Sequence, residues 1–297
     1  MPAEALLAEA RATVDARLEA WATRLEQEVG GTRGAALAYA LRSPGKRVRA
    51  ALVLAAFRAV GGEGEGVRDI ATAVEVVHAY SLVHDDLPCM DDDALRRGRP
   101  TTHVAFDVAT ATRAGWVMVP VAARVLAEGA RRLELDPAAL AAMARELFVA
   151  SGPEGMVGGQ WLDLEAERRE LDLDGLVRVH RGKTGALIRA ACALGGLAAR
   201  APAAKVEALR RFGADAGLAF QVADDVLDVT ATSADLGKTA GKDVASAKST
   251  YVRLLGIDAA RTEADRLADS AVGHLEQAGV PSGALGALAR YIVERDR

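Results

Sequence analysis

Cysteine is scarce. Cys89 and Cys192 are the only two in 297 residues, too few for a disulfide framework or a Cys-rich zinc site. Aromatic residues make up only 4% of the chain, while alanine is abundant, which favours closely packed helices over a β-sandwich. No apolar run approaches the ~20 residues needed to span a bilayer. Positive charge is not in excess: 37 Lys and Arg stand against 41 Asp and Glu, a net charge of -4, which excludes a nucleic-acid binder relying on bulk charge. The first basic residue after Met1 is Arg11, so the start does not read as a secretory leader, and a reduced, cytoplasmic protein is expected. No repeat, low-complexity linker or Gly-x-x-x-x-Gly-Lys-Ser/Thr loop occurs, and no Ser-His-Asp or Cys-His arrangement offers a nucleophile.

What remains is 51% hydrophobic and 26% charged, enough to bury a sizeable core in one globular domain over residues 1–297. Leu7, Val14, Leu18, Trp21 and Leu25 lie on one face of a helix. Helices are also expected over Val48–Phe57, Ile70–His84, Ala105–Leu133, Ala138–Ser151, Gly185–Ala199, Ala204–Val229 and Ala259–Gly279. Pro120 should kink or split the third of these. No segment alternates strictly, so the fold class is all-α. The glycines at 61, 62, 64 and 66 read as a turn, as does Gly158-Gly159-Gln160; Trp21 and Trp161 read as core, and Cys89 as a passive filler.

Two acidic clusters carry the chemistry. The first, Asp85-Asp86-Leu87-Pro88-Cys89-Met90-Asp91-Asp92-Asp93, follows an apolar helix. Five carboxylates in nine residues repel one another unless cations neutralise them, although a solvated loop would also hold them. Asp85 and Asp91 are about 240° apart on an ideal helix, so they can share a metal only if the helix is distorted, and Pro88 supplies a cause. In the second cluster Asp224 and Asp228, one turn apart, share a face beside Asp225 in an apolar helix; an exposed stripe is the plain alternative. Neither cluster has the spacing of an EF-hand.

Basic groups lie near both. Lys46, Arg47 and Arg49 open a helix, where cations oppose the dipole unless an anion joins them. Arg96 and Arg97 follow the first cluster, and Lys183, Lys238, Lys242 and Lys248 come later. Any one of them would serve as a surface ion pair, but carboxylates suited to Mg²⁺ ringed by Arg and Lys describe a diphosphate site. His78 shares a helix face with Asp85, His84 adjoins the cluster, and Gln221 is on the same side as Asp224.

These residues resemble the trans-isoprenyl diphosphate synthases. The first acidic motif matches the bacterial form with two extra residues, and Leu95-Arg96-Arg97-Gly98-Arg99-Pro100-Thr101 matches as well. Phe220-Gln221 with Asp224, Asp225 and Asp228 resembles the second motif, while Leu236–Asp243 and Lys248–Tyr251 are similar to later family segments. The resemblance implies about ten or more helices around a central cavity, usually in a homodimer. It implies three Mg²⁺ held by Asp85, Asp91 and Asp224, with Asp86, Asp225 and Asp228 in support. Arg96, Lys183 and Lys238 would hold an allylic diphosphate; Lys46, Arg49, His78 and Arg97 would hold isopentenyl diphosphate, with Lys248 also counted among the substrate contacts. Thr184 and Gln221 would line the point of reaction.

Product length is read from the helix before the first motif. Tyr80 is five residues, about 7.5 Å, below Asp85, and Ser81 is one turn below it. In the family an aromatic at that position resembles the bacterial farnesyl type, with a geranylgeranyl product as the alternative. Two positions depart from the family: Trp116 replaces a usual Asp, which should reshape the tail pocket or the dimer interface, and Ala50 replaces a usual Pro. A terpene cyclase would not need the second cationic pocket, and a non-catalytic regulatory subunit would not need both acidic motifs intact.

Overall fold

A computed structural model describes residues 1–166, 170–230 and 249–294. The helices begin with α1 (Ala3–Val29), α2 (Gly31–Leu41), α3 (Val48–Ala59) and α4 (Val67–Asp85). A two-stranded hairpin, β1 (Leu95–Arg96) and β2 (Arg99–Pro100), pairs Leu95 with Pro100 and Arg96 with Arg99. Then come α5 (Thr102–Ala105), α6 (Val108–Arg132), α7 (Pro137–Ser151), α8 (Met156–Ala166) and α9 (Leu173–His180). A π-helical turn (Arg181–Gly185) leads into α10 (Ala186–Ala198) and α11 (Ala203–Thr230), followed by α12 (Tyr251–Leu255), α13 (Ile257–Gln277) and α14 (Gly283–Glu294). The all-α expectation holds.

One apolar cluster runs from Ala3 in α1 to Ile292 in α14. α4 is buried along most of its length and packs against α1, α3, α6 and α10. Its alanines and valines let those neighbours approach closely, which places the helix end bearing Asp85 at the centre of the bundle. A smaller cluster around Leu218, Val222, Tyr251 and Leu267 ties α11 to α12 and α13.

Several expectations are corrected. Pro120 does not split α6, which is continuous over Val108–Arg132. Proline removes one helical hydrogen bond, but Met118, Val121, Ala122, Val125 and Leu126 are buried around it and hold the helix against its neighbours. The helix expected from Ala105 instead breaks at Phe106 and Asp107, where Asp107 caps α6 by accepting a hydrogen bond from Thr110 N at 2.7 Å. Gly158-Gly159-Gln160 is not a turn but part of α8. Trp21 is core, but Trp161 is 67% exposed, and Cys89 is exposed rather than a filler.

Candidate active site

The first acidic motif is built by ending a helix rather than by bending one. α4 stops at Asp85, and the chain curls so that Asp91 N donates to Asp85 O at 2.8 Å. Met90 N and Asp92 N both donate to Leu87 O, which closes the curl; Asp92 sits at φ 48. The curl therefore returns Asp91 to Asp85, the pairing that an uninterrupted helix forbids.

The carboxylates differ in surroundings. Burial pushes the Asp85 carboxyl up to about 7; Lys183 opposes that shift and Asp91 adds to it. Asp86 is buried and accepts from Arg96 Nε at 2.6 Å, and Arg96 also lies 3.5 Å from Asp93. Burial disfavours the charge on Arg96, but the Asp86 hydrogen bond and carboxylate outweigh it.

The opposite side is reached through the π-helical turn. Gly159 of α8 and Gly182 of the turn meet backbone to backbone: a Cβ on Gly159 would lie 1.9 Å from Lys183 N. This close approach lets two α8 side chains, one turn apart, reach across. Gln160 Nε2 donates to Asp91 Oδ1 at 3.3 Å, and Asp163 Oδ2 accepts from Lys183 Nζ at 2.6 Å. The next residue of the turn, Thr184, donates through Oγ1 to Gln221 Oε1 at 2.8 Å. Gln221 stands three residues before Asp224 on α11. A chain of contacts thus links the first acidic motif to the helix carrying the second.

Asp224 and Asp228 are half-buried on α11, one turn apart. Asp225 is engaged elsewhere: Tyr251 N donates to its Oδ2 at 2.8 Å, and His180 Nε2 lies 3.4 Å from the same oxygen. It ties α11 to α9 and α12, which fits support of its neighbours rather than direct contact with a ligand.

A second group of cations gathers behind the hairpin. Arg49 Nη1 lies 3.4 Å from His78 Nε2, and Arg97 donates to Pro44 O. Burial, then the charges of Arg49, Arg97, Arg47 and Arg96, hold His78 well below its ordinary pKa, so the neutral ring accepts from Arg49. Burial, Arg47 and Arg96 likewise disfavour the charge on Arg97. Arg47, named in the sequence only as part of the basic helix start, is buried at φ 55 with Asp15 at 2.7 Å and Glu75 at 3.2 Å. Lys46 is exposed beside this group. Lys238, Lys242 and Lys248 lie outside the described residues.

Between the acidic motif and α8 is a cavity of about 580 Å³. Its rim includes Asp85, Gln160 and Lys183, and its walls include Tyr80, Ser81, Met90, Met156, Val157, Trp161 and Leu164. Tyr80 packs edge-on against His84 with ring centroids 4.9 Å apart; His84 Nε2 lies 3.1 Å from Thr112 O, in space left by Gly115 of α6. Ser81 Oγ donates to His78 O. Trp116 does not line this cavity; it is 64% exposed on the outside of α6. The sequence reading missed Asp163 and the roles of Gln160 and Trp161, because it took this stretch for a turn and core; the spacing of Gln160 and Asp163 was the available signal.

Among the described residues no three His, Cys, Asp or Glu side chains converge into a protein-only metal cage. Mg²⁺ usually takes one or two carboxylates together with substrate phosphates. The crowded, buried Asp85, with Asp91 and Asp86 adding to its repulsion, fits such an ion.

A polyprenyl synthetase family model matches residues 33–280. The chain is 47% identical over 257 residues to farnesyl diphosphate synthase of Escherichia coli (strain K12), covering 85% of this chain and 86% of that protein. It is 42% identical to geranylgeranyl pyrophosphate synthase 7, chloroplastic, of Arabidopsis thaliana, covering 88% of this chain and 75% of that one. A crystal structure of geranyltransferase from Helicobacter pylori, complexed with magnesium and isoprenyl diphosphate, superposes with a TM-score of 0.80 at 31% identity, covering 97% of this chain and 96% of that one.

Proposed function

Because the chain belongs to the polyprenyl synthetase family, we propose that it is a Mg²⁺-dependent trans-prenyltransferase that condenses isopentenyl diphosphate with dimethylallyl and geranyl diphosphates to give (2E,6E)-farnesyl diphosphate. The observation that carries this reading is one cavity with a charged rim of Asp85, Gln160 and Lys183 and an apolar wall crossed by Tyr80.

Arg96 and Lys183, with Lys238, hold the allylic diphosphate. Lys46, Arg49, His78 and Arg97 hold the diphosphate of isopentenyl diphosphate. Asp85, Asp91 and Asp224 take three Mg²⁺, supported by Asp86, Asp225 and Asp228; when bound, these ions neutralise charge growing on the leaving group. The Lys and Arg side chains stabilise the same charge as the allylic C–O bond breaks and its electron pair leaves with diphosphate. The double bond of isopentenyl diphosphate then attacks the allylic cation, forming the new C–C bond. The proton lost from the adjacent carbon goes to the released diphosphate. Thr184 and Gln221 line the reacting centre, and the apolar wall keeps water from the cation.

Tyr80 forms the floor that favours a C15 product. A C20 geranylgeranyl product is the second reading, favoured by the similarity to the Arabidopsis protein. The chain is one domain and works as a cytoplasmic homodimer; no helix among the described residues is long and apolar enough to cross a membrane. Trp116, Val117 and Pro120 leave an apolar patch exposed on α6, which a second copy would cover.

The test is to incubate the purified protein with isopentenyl diphosphate, Mg²⁺ and C5, C10 or C15 allylic primers and to size the products. Predominantly C15 product is expected. Predominantly C20 product would replace the farnesyl reading, and no condensation would end the prenyltransferase one.

A further inference from the structure

The tail cavity has two large aromatic rings in its wall, one from α4 and one from α8. Tyr80 was expected there; Trp161 was not. Each ring is braced by the residue one helical turn further on. Tyr80 packs against His84, and Trp161 donates from Nε1 to Glu165 Oε1 at 2.7 Å. A tryptophan has only two side-chain torsions, so that hydrogen bond narrows the orientations open to the indole. Val157, Trp161 and Leu164 recur at helical spacing on α8 and present an apolar stripe to the cavity. The stripe is not packed away in the protein interior, because Val157 is 40% and Trp161 67% exposed. A hydrocarbon chain passing Tyr80 would be bounded by this second wall.

We infer that Trp161 is a specificity-determining residue: its indole, braced by Glu165, closes the side of the tail cavity and works with Tyr80 to limit product length. This rests on the reading that the allylic tail occupies the cavity. Trp116, the aromatic substitution that drew notice in the sequence, has no place in that wall, whereas Trp161 does.

The experiment compares wild type with Trp161→Ala, Trp161→Phe and Glu165→Ala, using isopentenyl diphosphate, Mg²⁺ and geranyl diphosphate. The readout is the ratio of the next-longer product to the wild type's own main product. Trp161→Ala should raise that ratio about fivefold or more, in line with the modest discrimination an apolar wall provides. Trp161→Phe should stay near wild type, and Glu165→Ala, which frees the indole, should fall between them. Tyr80→Ala/Trp161→Ala should exceed either single variant. A folded Trp161→Ala protein with an unchanged ratio overturns the inference. Should that variant not fold, an unchanged ratio in Glu165→Ala overturns it instead. Because each ratio is taken against the wild type's own product, a C20-making wild type would sink the farnesyl reading without affecting this comparison.

Discussion

Lys183 Nζ lies 2.6 Å from the Asp163 carboxylate, across the close contact between α8 and the π-helical turn. Asp163 is nearly covered, while Lys183 retains an exposed face towards the cavity rim. Burial disfavours the Lys183 charge, but Asp163, Asp91 and Asp85 together more than restore it. Asp163 is therefore a positioning residue for the cation assigned to the allylic diphosphate. Lys183→Ala should lower kcat/KM for the allylic substrate by about 10²- to 10³-fold. Asp163→Ala should lower it less, with little change in the KM for isopentenyl diphosphate. In the Lys183→Ala background, Asp163→Ala should add little, since interacting residues are not additive. Fully additive losses would assign Asp163 a general structural role.

Gln160 acts from the same face of α8, one turn before Asp163, donating to Asp91 at 3.3 Å. Residues that orient metal-binding carboxylates typically change affinity or activity by about 10- to 100-fold when removed. Gln160→Ala should raise the Mg²⁺ concentration for half-maximal rate by about 10-fold or more. Chelation by EDTA should abolish turnover in both proteins, and added Mg²⁺ should restore it. An unaltered Mg²⁺ dependence in the variant would remove Gln160 from that role.

Trp116 gives a test of assembly. Trp116→Arg puts a bulky charge on the exposed apolar patch of α6 and should shift the protein from dimer towards monomer in sedimentation equilibrium. Product length should stay as in wild type at concentrations where the dimer persists, because Trp116 is not in the cavity wall. A dimer as stable as wild type would show that this patch lies outside the interface.

His78 gives a pH dependence. Burial and the surrounding arginines disfavour its protonation in the folded chain. An unfolded histidine takes up a proton as pH falls through about 6.5, so below that value the unfolded state binds more protons and folding stability declines. His78→Gln removes this contribution. Between about pH 7.5 and 5.5 the thermal midpoint of wild type should therefore fall more steeply than that of the variant. Parallel curves would mean that His78 titrates alike in both states.

The helices that pack against the core were legible because their apolar spacing is strong: α3, α4, α10 and α11 lie within two or three residues of their expected limits. The break before α6 was not, since Phe106 and Asp107 interrupt an otherwise helical pattern through a single capping residue. α8 was also hidden. Its glycines resemble those of a turn, but Gly159 is the surface on which the π-helical turn rests.

By itself the sequence determined the helical class, the two acidic motifs and the surrounding cations, because residue type and local spacing carry that information. Tertiary structure decided how those groups are used. It ended α4 so that Asp91 returned to Asp85, committed Asp225 to Tyr251, and put Trp161 rather than Trp116 in the cavity that Tyr80 lines. Those outcomes depend on backbone curls and on helices meeting far apart in the chain, where packing, not local propensity, selects each side chain's neighbours.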